Sequence, residues 1–339
     1  MKELATLKDI ARETGFSVTT VSRALNGYFD VSEGTRTKIE QTAKRLGYSP
    51  NIIARSLVTK QSKTIGFIVT DLKRESIKDN FMYETLCGVS DTLASTTYEF
   101  VVLSTSTAKQ KNKTYRQICA ERQLDGVVIQ GLKIEDPYLI EAMDSDTPCV
   151  LIDIPIEGEK AAYVTSNQFE SAKQAVKYLR RMGHEKIAYM NGSEHAHVSQ
   201  IRKKAYEEAL RETGVELDPA LVVNGDFEEE MARRAALHLL LNRSDVSAFF
   251  CASDVMALGV MQAAKELGIQ IPKDLSVIGF DNILLSRYIT PKLTTISQQP
   301  YEMGSAAAEM LIQLIEGHDG ERQIELKNEL ILRESTSNR

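Results

Sequence analysis

Beyond Thr64 the chain alternates short apolar, β-branched runs with longer stretches of helical pattern. In chain order, the apolar runs are IGFIV, FVVL, GVVIQ, PCVLID, KIAYM, AFFCA and SVIGF. The main helical stretches between them cover residues 81–95, 168–182, 200–213, 253–267 and 301–316. Strands that alternate with helices form parallel sheets with helices packed on both faces. This region is therefore predicted to be α/β, and any ligand should bind at the carboxyl ends of its strands.

The first 48 residues have a different, all-α pattern of three short helices. Ala11, Gly15 and Val21 have the spacing of a helix-turn-helix. Two helices that cross over a tight turn need a small residue at the crossing, a turn residue that tolerates positive φ, and an apolar anchor on the second helix. An ordinary three-helix bundle without a partner is the alternative.

The predicted second helix carries short polar groups and one guanidinium. Such groups are suited to base edges and phosphates in the major groove of DNA. The exposed residues of this helix are predicted to be Val18, Thr19, Thr20, Ser22 and Arg23. Val18 offers a methyl surface suited to the methyl group of thymine. This composition favours a DNA-binding helix over the plain bundle.

Charge is distributed unevenly along the chain. The whole sequence has a net charge of −6, yet residues 1–63 contain 11 Lys or Arg against 6 Asp or Glu. The segment therefore sums to +5, and the remainder sums to −11. Affinity for DNA that does not depend on sequence comes from Lys and Arg displacing counterions. A small basic module that approaches phosphates is thus attached to a large acidic one.

Several classes of protein are disfavoured by what the sequence lacks. The four cysteines are widely spaced, which is typical of core residues in a reducing cytosol. His195 and His197 lack a third nearby ligand, so we expect no metal site and a solvated loop there. No signal peptide or membrane span is evident, and we expect a soluble, cytoplasmic protein that contacts no membrane. No catalytic or cofactor motif is present, so we expect neither enzyme activity nor a cofactor.

Long segments at both ends of the chain resemble the lactose-repressor/galactose-repressor (LacI/GalR) family. The first are TLKDIARETGFSVTTVSRALNG and VSEGTRTKIEQTAKRLGYSPNIIARSL, and the later ones are FFCASDVMALGVMQAAKELGIQIPKDLSVIGFDN and SRYITPKLTTISQQPYEMG. The resemblance implies a helix-turn-helix headpiece over residues 1–48, a hinge helix and linker over 49–63, and an effector-binding and dimerisation domain over 64–339. That domain should have two lobes like a periplasmic sugar-binding protein, with the chain crossing between them near residues 165, 291 and 325.

The resemblance also implies the DNA-contacting residues. Base reading falls on Val18, Thr19 and Arg23, and Arg23 is either a reader of guanine or a phosphate clamp. The full predicted set is Thr6, Ser17, Val18, Thr19, Thr20, Ser22, Arg23, Asn26, Ala54 and Leu57.

The hinge has the pattern of a two-turn helix, with Ile53 and Leu57 four residues apart after a proline. Such a helix is marginal alone and needs something to pack against. In the family, paired hinge helices lie over the minor groove and a leucine wedges between base pairs, which places Leu57 in that role. The alternative is that Leu57 belongs to the headpiece core.

Effector contacts are predicted at strand ends and from the family motifs. Asp254 follows AFFCAS and Asp281 ends SVIGFD, while the resemblance adds Phe81, Asn167, Arg202 and Phe227. Aromatic faces with carboxylates and a guanidinium suit a neutral, hydroxyl-rich ligand, a sugar or sugar derivative. Plain packing is the alternative for the two phenylalanines, and a helix cap or loop hydrogen bond is the alternative for the two aspartates.

Two segments depart from the family pattern where ligand is expected. Asn167, Gln168 and Ser171 stand where the family usually has Asp, Asn and Gly, and Met82 replaces a second aromatic residue after Phe81. These departures affect the identity of the effector and leave the lobe architecture intact.

The resulting prediction is a sequence-specific transcriptional regulator, a repressor on family grounds, that binds a pseudo-palindromic operator. A periplasmic sugar-binding protein would need an export signal in place of the headpiece. The sequence ends without a leucine heptad run, so we expect a homodimer.

Overall fold

The computed structural model of the protein describes residues 5–48, 62–70, 72, 80–156 and 158–339. The chain divides into two units, Met1–Ser62 and Lys63–Arg339, which are described separately below.

Described residues 5–48 form three helices, α1 (Leu7–Thr14), α2 (Val18–Leu25) and α3 (Glu33–Leu46). Local hydrogen bonds fix where the first two begin. The Asp9 carboxylate accepts from the backbone N and the hydroxyl of Thr6 at 2.9 and 2.6 Å, and Ser17 Oγ accepts from the backbone N of Thr20 at 3.0 Å. Gly15, with a φ of 79°, ends α1 in the left-handed conformation that its predicted turn position requires.

A small apolar core joins these helices. Ile10 of α1, Val21 of α2 and Ile39 of α3 are fully buried, and Ala11 and Ala24 pack beside them. Each helix buries one face in this core, so the opposite face of α2 lies outside it.

The first lobe of the larger unit contains a parallel sheet, six-stranded over the described residues. In spatial order its strands are β2 (Glu99–Thr105), β1 (Thr64–Thr70), β3 (Gly126–Gln130), β4 (Cys149–Ile152), β5 (Ala161–Ser166) and β11 (Gln323–Leu326). Its helices are α4 (Phe81–Ala94), α5 (Thr107–Asn112), α6 (Tyr115–Arg122), α7 (Pro137–Met143) and α12 (Pro300–Glu316).

The second lobe has a corresponding sheet, also six-stranded over the described residues. In spatial order its strands are β7 (Val222–Asn224), β6 (Ile187–Asn191), β8 (Ala248–Cys251), β9 (Ser276–Asp281), β10 (Thr294–Ser297) and β12 (Glu329–Ile331). Its helices are α8 (Gln168–Arg181), α9 (His197–Glu212), α10 (Glu229–Asn242) and α11 (Asp254–Glu266), with short 3-10 turns at Pro219–Leu221 and Leu284–Arg287. Only β12 pairs antiparallel among these described strands.

The apolar runs become central strands because helices cover both faces of each sheet. Every residue of β3, β4, β6 and β8 is buried, which explains why their sequences are continuously apolar rather than alternating. The α/β architecture predicted from the alternation is confirmed.

Within the described residues the chain passes between the lobes three times, after β5, after β10 and after β11. These three segments are called the first, second and third connections. The prediction placed the second crossing near Pro291, which is too early. Strand β10 still belongs to the second lobe, because Thr294 pairs with Ile278 of β9, and the chain leaves only after Ser297.

Candidate functional site

Three adjacent strands of the first lobe end in polar residues at one edge of the sheet. Thr70 ends β1, Gln130 ends β3, and Asp153 directly follows β4. The strand register puts Gln130 beside Val69 and Ile152, so the three polar residues are neighbours. Within the described chain, the buried Oγ1 of Thr70 and Oε1 of Gln130 have no hydrogen-bond partner.

The second lobe also brings polar residues to the carboxyl edge of its sheet. Asn191 ends β6, Asp281 ends β9, and His197 is the first residue of α9, after the loop that follows β6. Asn191 Oδ1, His197 Nε2 and Ser199 Oγ are buried, and nothing in the part of the chain that the structure describes hydrogen-bonds to them.

These polar edges meet at the boundary between the two lobes, which is called the cleft below. Gln168, at the start of α8 in the second lobe, donates from Nε2 to Asp153 Oδ1 at 3.2 Å, and the backbone N of Ile134 in the first lobe donates to the His195 carbonyl at 3.0 Å. Buried polar groups are almost always paired, since an unpaired one costs about 1–3 kcal/mol. Five such atoms without a partner lie at these edges of the described chain.

Arg202 of α9 lies beside the polar edge of the second lobe, with only 3% of its surface exposed. Its Nε donates to Gln168 Oε1 at 2.8 Å, and one terminal nitrogen donates to the Ala252 carbonyl. The guanidinium carbon lies 3.7 Å from the centroid of the Phe280 ring, and the other terminal nitrogen lies 4.0 Å from Asp281 Oδ1. Arg202 thus holds the side chain of Gln168 in place and offsets the charge of Asp281.

Asp153 adds a second carboxylate to the cleft. Its Oδ1 accepts from the Thr165 hydroxyl at 2.9 Å, besides the bond from Gln168. Burial raises the pKa of Asp153, and the nearby Arg202 charge opposes that rise. Among the described residues at these edges, Asp153 and Asp281 thus supply two carboxylates and Arg202 supplies one guanidinium.

The two aromatic candidates lie in different lobes. Phe81 is the first residue of α4 and packs partly buried against the first-lobe core. Phe227, with a φ of 59°, lies after β7 with its ring against Gly192, where a Cβ would come within 2.1 Å of the ring. Gly192 directly follows Asn191, so the Phe227 ring lies beside the polar edge of the second lobe.

Asn167 serves the connections between the lobes. Its Oδ1 accepts from the backbone N of Asn328, in the third connection, at 2.8 Å and from the Ser171 hydroxyl at 3.0 Å. Asn328 Nδ2 in turn donates to Ser166 Oγ at 3.0 Å. The Asn167 amide oxygen is thus occupied in tying the first connection to the third.

Asp254 does not line the cleft, and that prediction is wrong. Its side chain is fully buried beneath the loop after β9, where Oδ2 accepts from the backbone N of Ile283 at 2.9 Å and Oδ1 accepts from the Thr295 hydroxyl at 2.5 Å. Burial raises the pKa of Asp254 to about 7. Asp254 therefore anchors the loop after β9, which agrees with the alternative of a loop hydrogen bond. The cap of α11 is Ser253.

The two histidines after β6 differ in environment. His195 is exposed, and its Nδ1 lies 2.9 Å from Glu135 Oε1 of the first lobe. His197 is half-buried, and burial lowers its pKa. Among the described residues, no group of three or more His, Cys, Asp or Glu could hold a metal ion.

Helix α2 presents its polar face away from the headpiece core. Ser17, Val18, Thr19 and Arg23 are exposed, with Val18 at 41%, while Thr20, Ser22 and Asn26 are partly buried. Thr6, at the start of α1, forms the cap with Asp9 described above. Ala54 and Leu57 lie outside the described residues.

Arg23 is held in an internal ion pair. Its Nη2 lies 2.6 Å from Asp30 Oδ2, its Nε donates to Asp30 Oδ1 at 3.2 Å, and its guanidinium lies over the Tyr28 ring at 4.8 Å. The pair is more than two-fifths exposed, so a competing partner can reach the guanidinium.

Several polar residues at the cleft were not predicted from the sequence. They are Thr70, Gln130, Asp153, Asn191, His197, Ser199 and Gln298. Gln130 and Asp153 end the apolar runs GVVIQ and PCVLID, so the rule that ligands meet strand ends would have found them had it been applied to every run.

Comparison with known proteins agrees with this architecture. The profile of bacterial regulatory proteins of the lacI family matches residues 6–51, and a periplasmic binding protein-like domain matches residues 176–336. The HTH-type transcriptional repressor CytR of Escherichia coli K12 is 35% identical over 98% of this chain and 96% of its own length. The chain belongs to the lacI family. It is a DNA-binding transcriptional regulator and not an enzyme, as the sequence predicted.

Solved structures of the family share the whole fold. The lac repressor dimer bound to operator and the anti-inducer ONPF is 25% identical, covers 99% of this chain and 100% of its own, and has a TM-score of 0.84. The transcriptional regulator CelR in complex with cellobiose is 28% identical over 98% of this chain and 99% of its own, with a TM-score of 0.74. Across the described residues, no helix has both the length and the apolar character needed to span a bilayer.

Proposed function

We propose that this lacI-family protein is a cytoplasmic repressor that binds a pseudo-palindromic operator as a homodimer, and that a small neutral ligand in the cleft controls its operator affinity. The observation that carries the proposal is the set of five buried, unpartnered polar atoms at the strand ends and helix start of both lobes, within the described chain. The ligand is a sugar or sugar derivative rich in hydroxyl groups.

The headpiece supplies the DNA-binding half of this proposal. Exposed Val18, Thr19 and Arg23 lie on one face of α2, where a recognition helix meets base edges. Ser17, Thr20, Ser22, Asn26 and Thr6 surround them and are suited to phosphate oxygens. In the hinge, Ala54 and Leu57 are proposed to meet the minor groove, with Leu57 wedged between base pairs.

The cleft supplies the effector half. Carboxylates accept from hydroxyls, amide and hydroxyl groups can both donate and accept, and an aromatic ring covers the apolar face of a sugar. Asp153, Asp281, Arg202, Asn167 and the rings of Phe81 and Phe227 provide these chemistries. Among the described residues, a sugar phosphate would meet two carboxylates and one guanidinium, a balance that favours a neutral ligand.

A thermal-shift screen of the full-length protein tests the ligand class. The panel contains cellobiose, galactosides, nucleosides and nucleobases as neutral compounds, and glucose 6-phosphate and ribose 5-phosphate as anionic ones. A ligand at 100 times its Kd stabilises by about 2.7 kcal/mol, which raises the melting temperature. We expect a neutral, hydroxyl-bearing compound to do so and to change operator affinity in a fluorescence anisotropy titration. Stabilisation by sugar phosphates alone would contradict the proposed ligand class.

A further inference from the structure

We infer that Asp30 is a specificity-determining residue for operator recognition, because its carboxylate competes with guanine for the guanidinium of Arg23. Through this competition, Asp30 reduces the loss of affinity that follows when the operator lacks the guanine that Arg23 reads. The inference rests on the proposed function, since it takes Arg23 to be a base reader of α2. Asp30 is not among the DNA-contacting residues predicted from the sequence.

Arg23 and Asp30 form a two-point ion pair in the headpiece. Nη2 of Arg23 lies 2.6 Å from Asp30 Oδ2, and Nε donates to Asp30 Oδ1 at 3.2 Å. The guanidinium also lies over the Tyr28 ring, 4.8 Å from its centroid. One edge of the planar guanidinium is thus bound by both oxygens of the carboxylate. This is the same fork that an arginine offers to any planar pair of acceptors.

Hydrogen bonds of the neighbouring backbone hold Asp30 beside α2. The backbone N of Tyr28 donates to the Arg23 carbonyl at 3.1 Å. The Tyr28 carbonyl in turn accepts from Arg36 Nη2 at 2.7 Å and from the backbone N of Val31 at 3.3 Å. The segment that carries Asp30 is therefore tied to α2 through Arg23 and to α3 through Arg36, which fixes the carboxylate near the guanidinium.

The ion pair lies on the face of α2 that is proposed to meet DNA. Arg23 follows Thr19 by four residues, so the two side chains lie on the same face of the helix. The side chains of Arg23 and Asp30 are 44% and 43% exposed, and Thr19 is exposed as well. An approaching base edge therefore finds a guanidinium that is accessible but already bound to a carboxylate.

Asp30 and guanine compete because both offer only acceptors to Arg23. A carboxylate accepts through its two oxygens and guanine accepts through O6 and N7, so the same two donors of Arg23 can serve one or the other. On an operator with the guanine, Arg23 leaves Asp30, and the free energy of the ion pair is subtracted from that of the guanine contact. On an operator without it, Arg23 stays with Asp30 and nothing is subtracted. The penalty for the missing guanine is thus smaller than it would be without Asp30.

Competition binding of the full-length protein measures this penalty. The probes are the cognate operator and operators in which one base pair is replaced symmetrically in both half-sites, at the position where Arg23→Ala loses its preference. Asp30→Ala and Asp30→Asn remove the charge of the competitor. Glu40→Gln is the matched control, because Glu40 is exposed on α3 and its replacement removes the same charge from the same unit. Thermal melts of each variant show whether it is folded.

We expect Asp30→Ala to raise affinity for the cognate operator by about twofold to fivefold for each half-site, the size of an exposed ion pair. Its affinity for the substituted operators should match that of Glu40→Gln. The ratio of the two affinities, which is the discrimination for guanine, should therefore rise by the same factor. Asp30→Asn should change the ratio in the same direction, and Glu40→Gln should leave it at the wild-type value.

The double variant Arg23→Ala/Asp30→Ala shows whether the effect passes through the guanidinium. It should discriminate as Arg23→Ala does, because without the arginine the carboxylate has nothing to compete for. An equal gain for Asp30→Ala on all operators would overturn the inference, since Asp30 would then act only as a negative charge near phosphates.

A fall in discrimination would overturn it as well, since Asp30 would then orient the arginine toward guanine. Both of these results leave the base-reading role of Arg23 intact. If Arg23→Ala itself loses affinity equally on all operators, Arg23 is not a base reader, and that part of the proposed function fails together with this inference.

Discussion

Gln298 Nε2 donates to Asp281 Oδ1 at 2.6 Å, which joins the second connection between the lobes to the carboxylate at the end of β9. The same glutamine accepts through Oε1 from the Ser166 hydroxyl and from Gln168 Nε2, both at 2.9 Å. A ligand that contacts Asp281 therefore acts on Gln298, whose side chain links the second connection to Ser166 and Gln168 of the first. This is a physical route from an occupied cleft to a movement of the lobes.

Replacing Asp281 with alanine should separate ligand response from DNA binding. Operator affinity without effector should stay nearly unchanged, because Asp281 lies in the sensor domain. The effector's influence on that affinity, about 1–3 kcal/mol in the wild type, should be abolished. Operator titrations by fluorescence anisotropy, with and without effector, measure both quantities. Asp319→Ala, an exposed substitution after α12, is the control, and a variant that responds like the wild type at saturating effector would show that Asp281 is structural.

Asp254→Ala should behave differently, since this carboxylate anchors a loop. Removing it leaves the backbone N of Ile283 and the Thr295 hydroxyl without their acceptor. We expect a loss of about 2–4 kcal/mol in the free energy of unfolding, from about 1–3 kcal/mol per unpaired buried group. Urea denaturation of the variant beside Asp319→Ala measures it. Unchanged stability together with a lost effector response would instead return Asp254 to the ligand site.

Arg23→Ala should weaken binding to the cognate operator by about 1–3 kcal/mol and relax the preference at one symmetric base pair per half-site. Competition with singly substituted operators measures this, and a uniform loss across all sequences would assign Arg23 to phosphate instead. The ion pair with Asp30 adds a second expectation. Asp30→Ala frees the guanidinium before DNA arrives and should raise operator affinity slightly, because an exposed pair contributes at most about 1 kcal/mol.

His184 should make the stability of the second lobe depend on pH. Its Nε2 donates to the Ser337 carbonyl at 3.0 Å, so in the neutral ring Nδ1 accepts from the Ser247 hydroxyl at 3.0 Å. Burial lowers its pKa below the 6.5 of the unfolded chain. Above pH 6.5 neither state is protonated. As the pH falls below 6.5, the unfolded chain binds a proton that the folded chain excludes, so stability is lost until the folded pKa is reached.

The measurement is the free energy of unfolding at pH 7.5 and pH 5.5 for the wild type and for His184→Gln. The wild type should lose more on acidification than the variant, by at most about 1.4 kcal/mol per pH unit from this one group. Equal losses would show that His184 does not contribute.

The order of elements was predictable because burial imposes a pattern on each strand. Strands such as β3 and β6 are buried on both faces, so their sequences are continuously apolar. The predicted runs did not include β5, β7, β10, β11 and β12. Of these, β7, β11 and β12 are short edge strands that are not fully buried, so they lack a continuously apolar pattern. The second crossing was placed too early for a related reason, because β10 is only four residues long.

The site was less predictable than the fold. The sequence shows which residues lie near the end of a strand, but it does not show where their side chains point. Asp254 and Asp281 each lie near a strand end, yet Asp254 is bonded beneath a loop and Asp281 is bonded to Gln298 in a connection between the lobes. The hydrogen bond from Gln168 to Asp153 joins two lobes that only the folded chain brings together. A local pattern could not have shown it.

Reciprocal titration of the full-length wild type measures whether ligand in the cleft and operator at the headpiece are coupled. Operator is titrated with and without the neutral ligand found by the screen, and ligand is titrated with and without operator. We predict that each changes the affinity of the other by the same factor, about 5-fold to 150-fold. If the ligand saturates the protein while operator affinity stays the same, the coupling does not exist and the ligand does not control DNA binding.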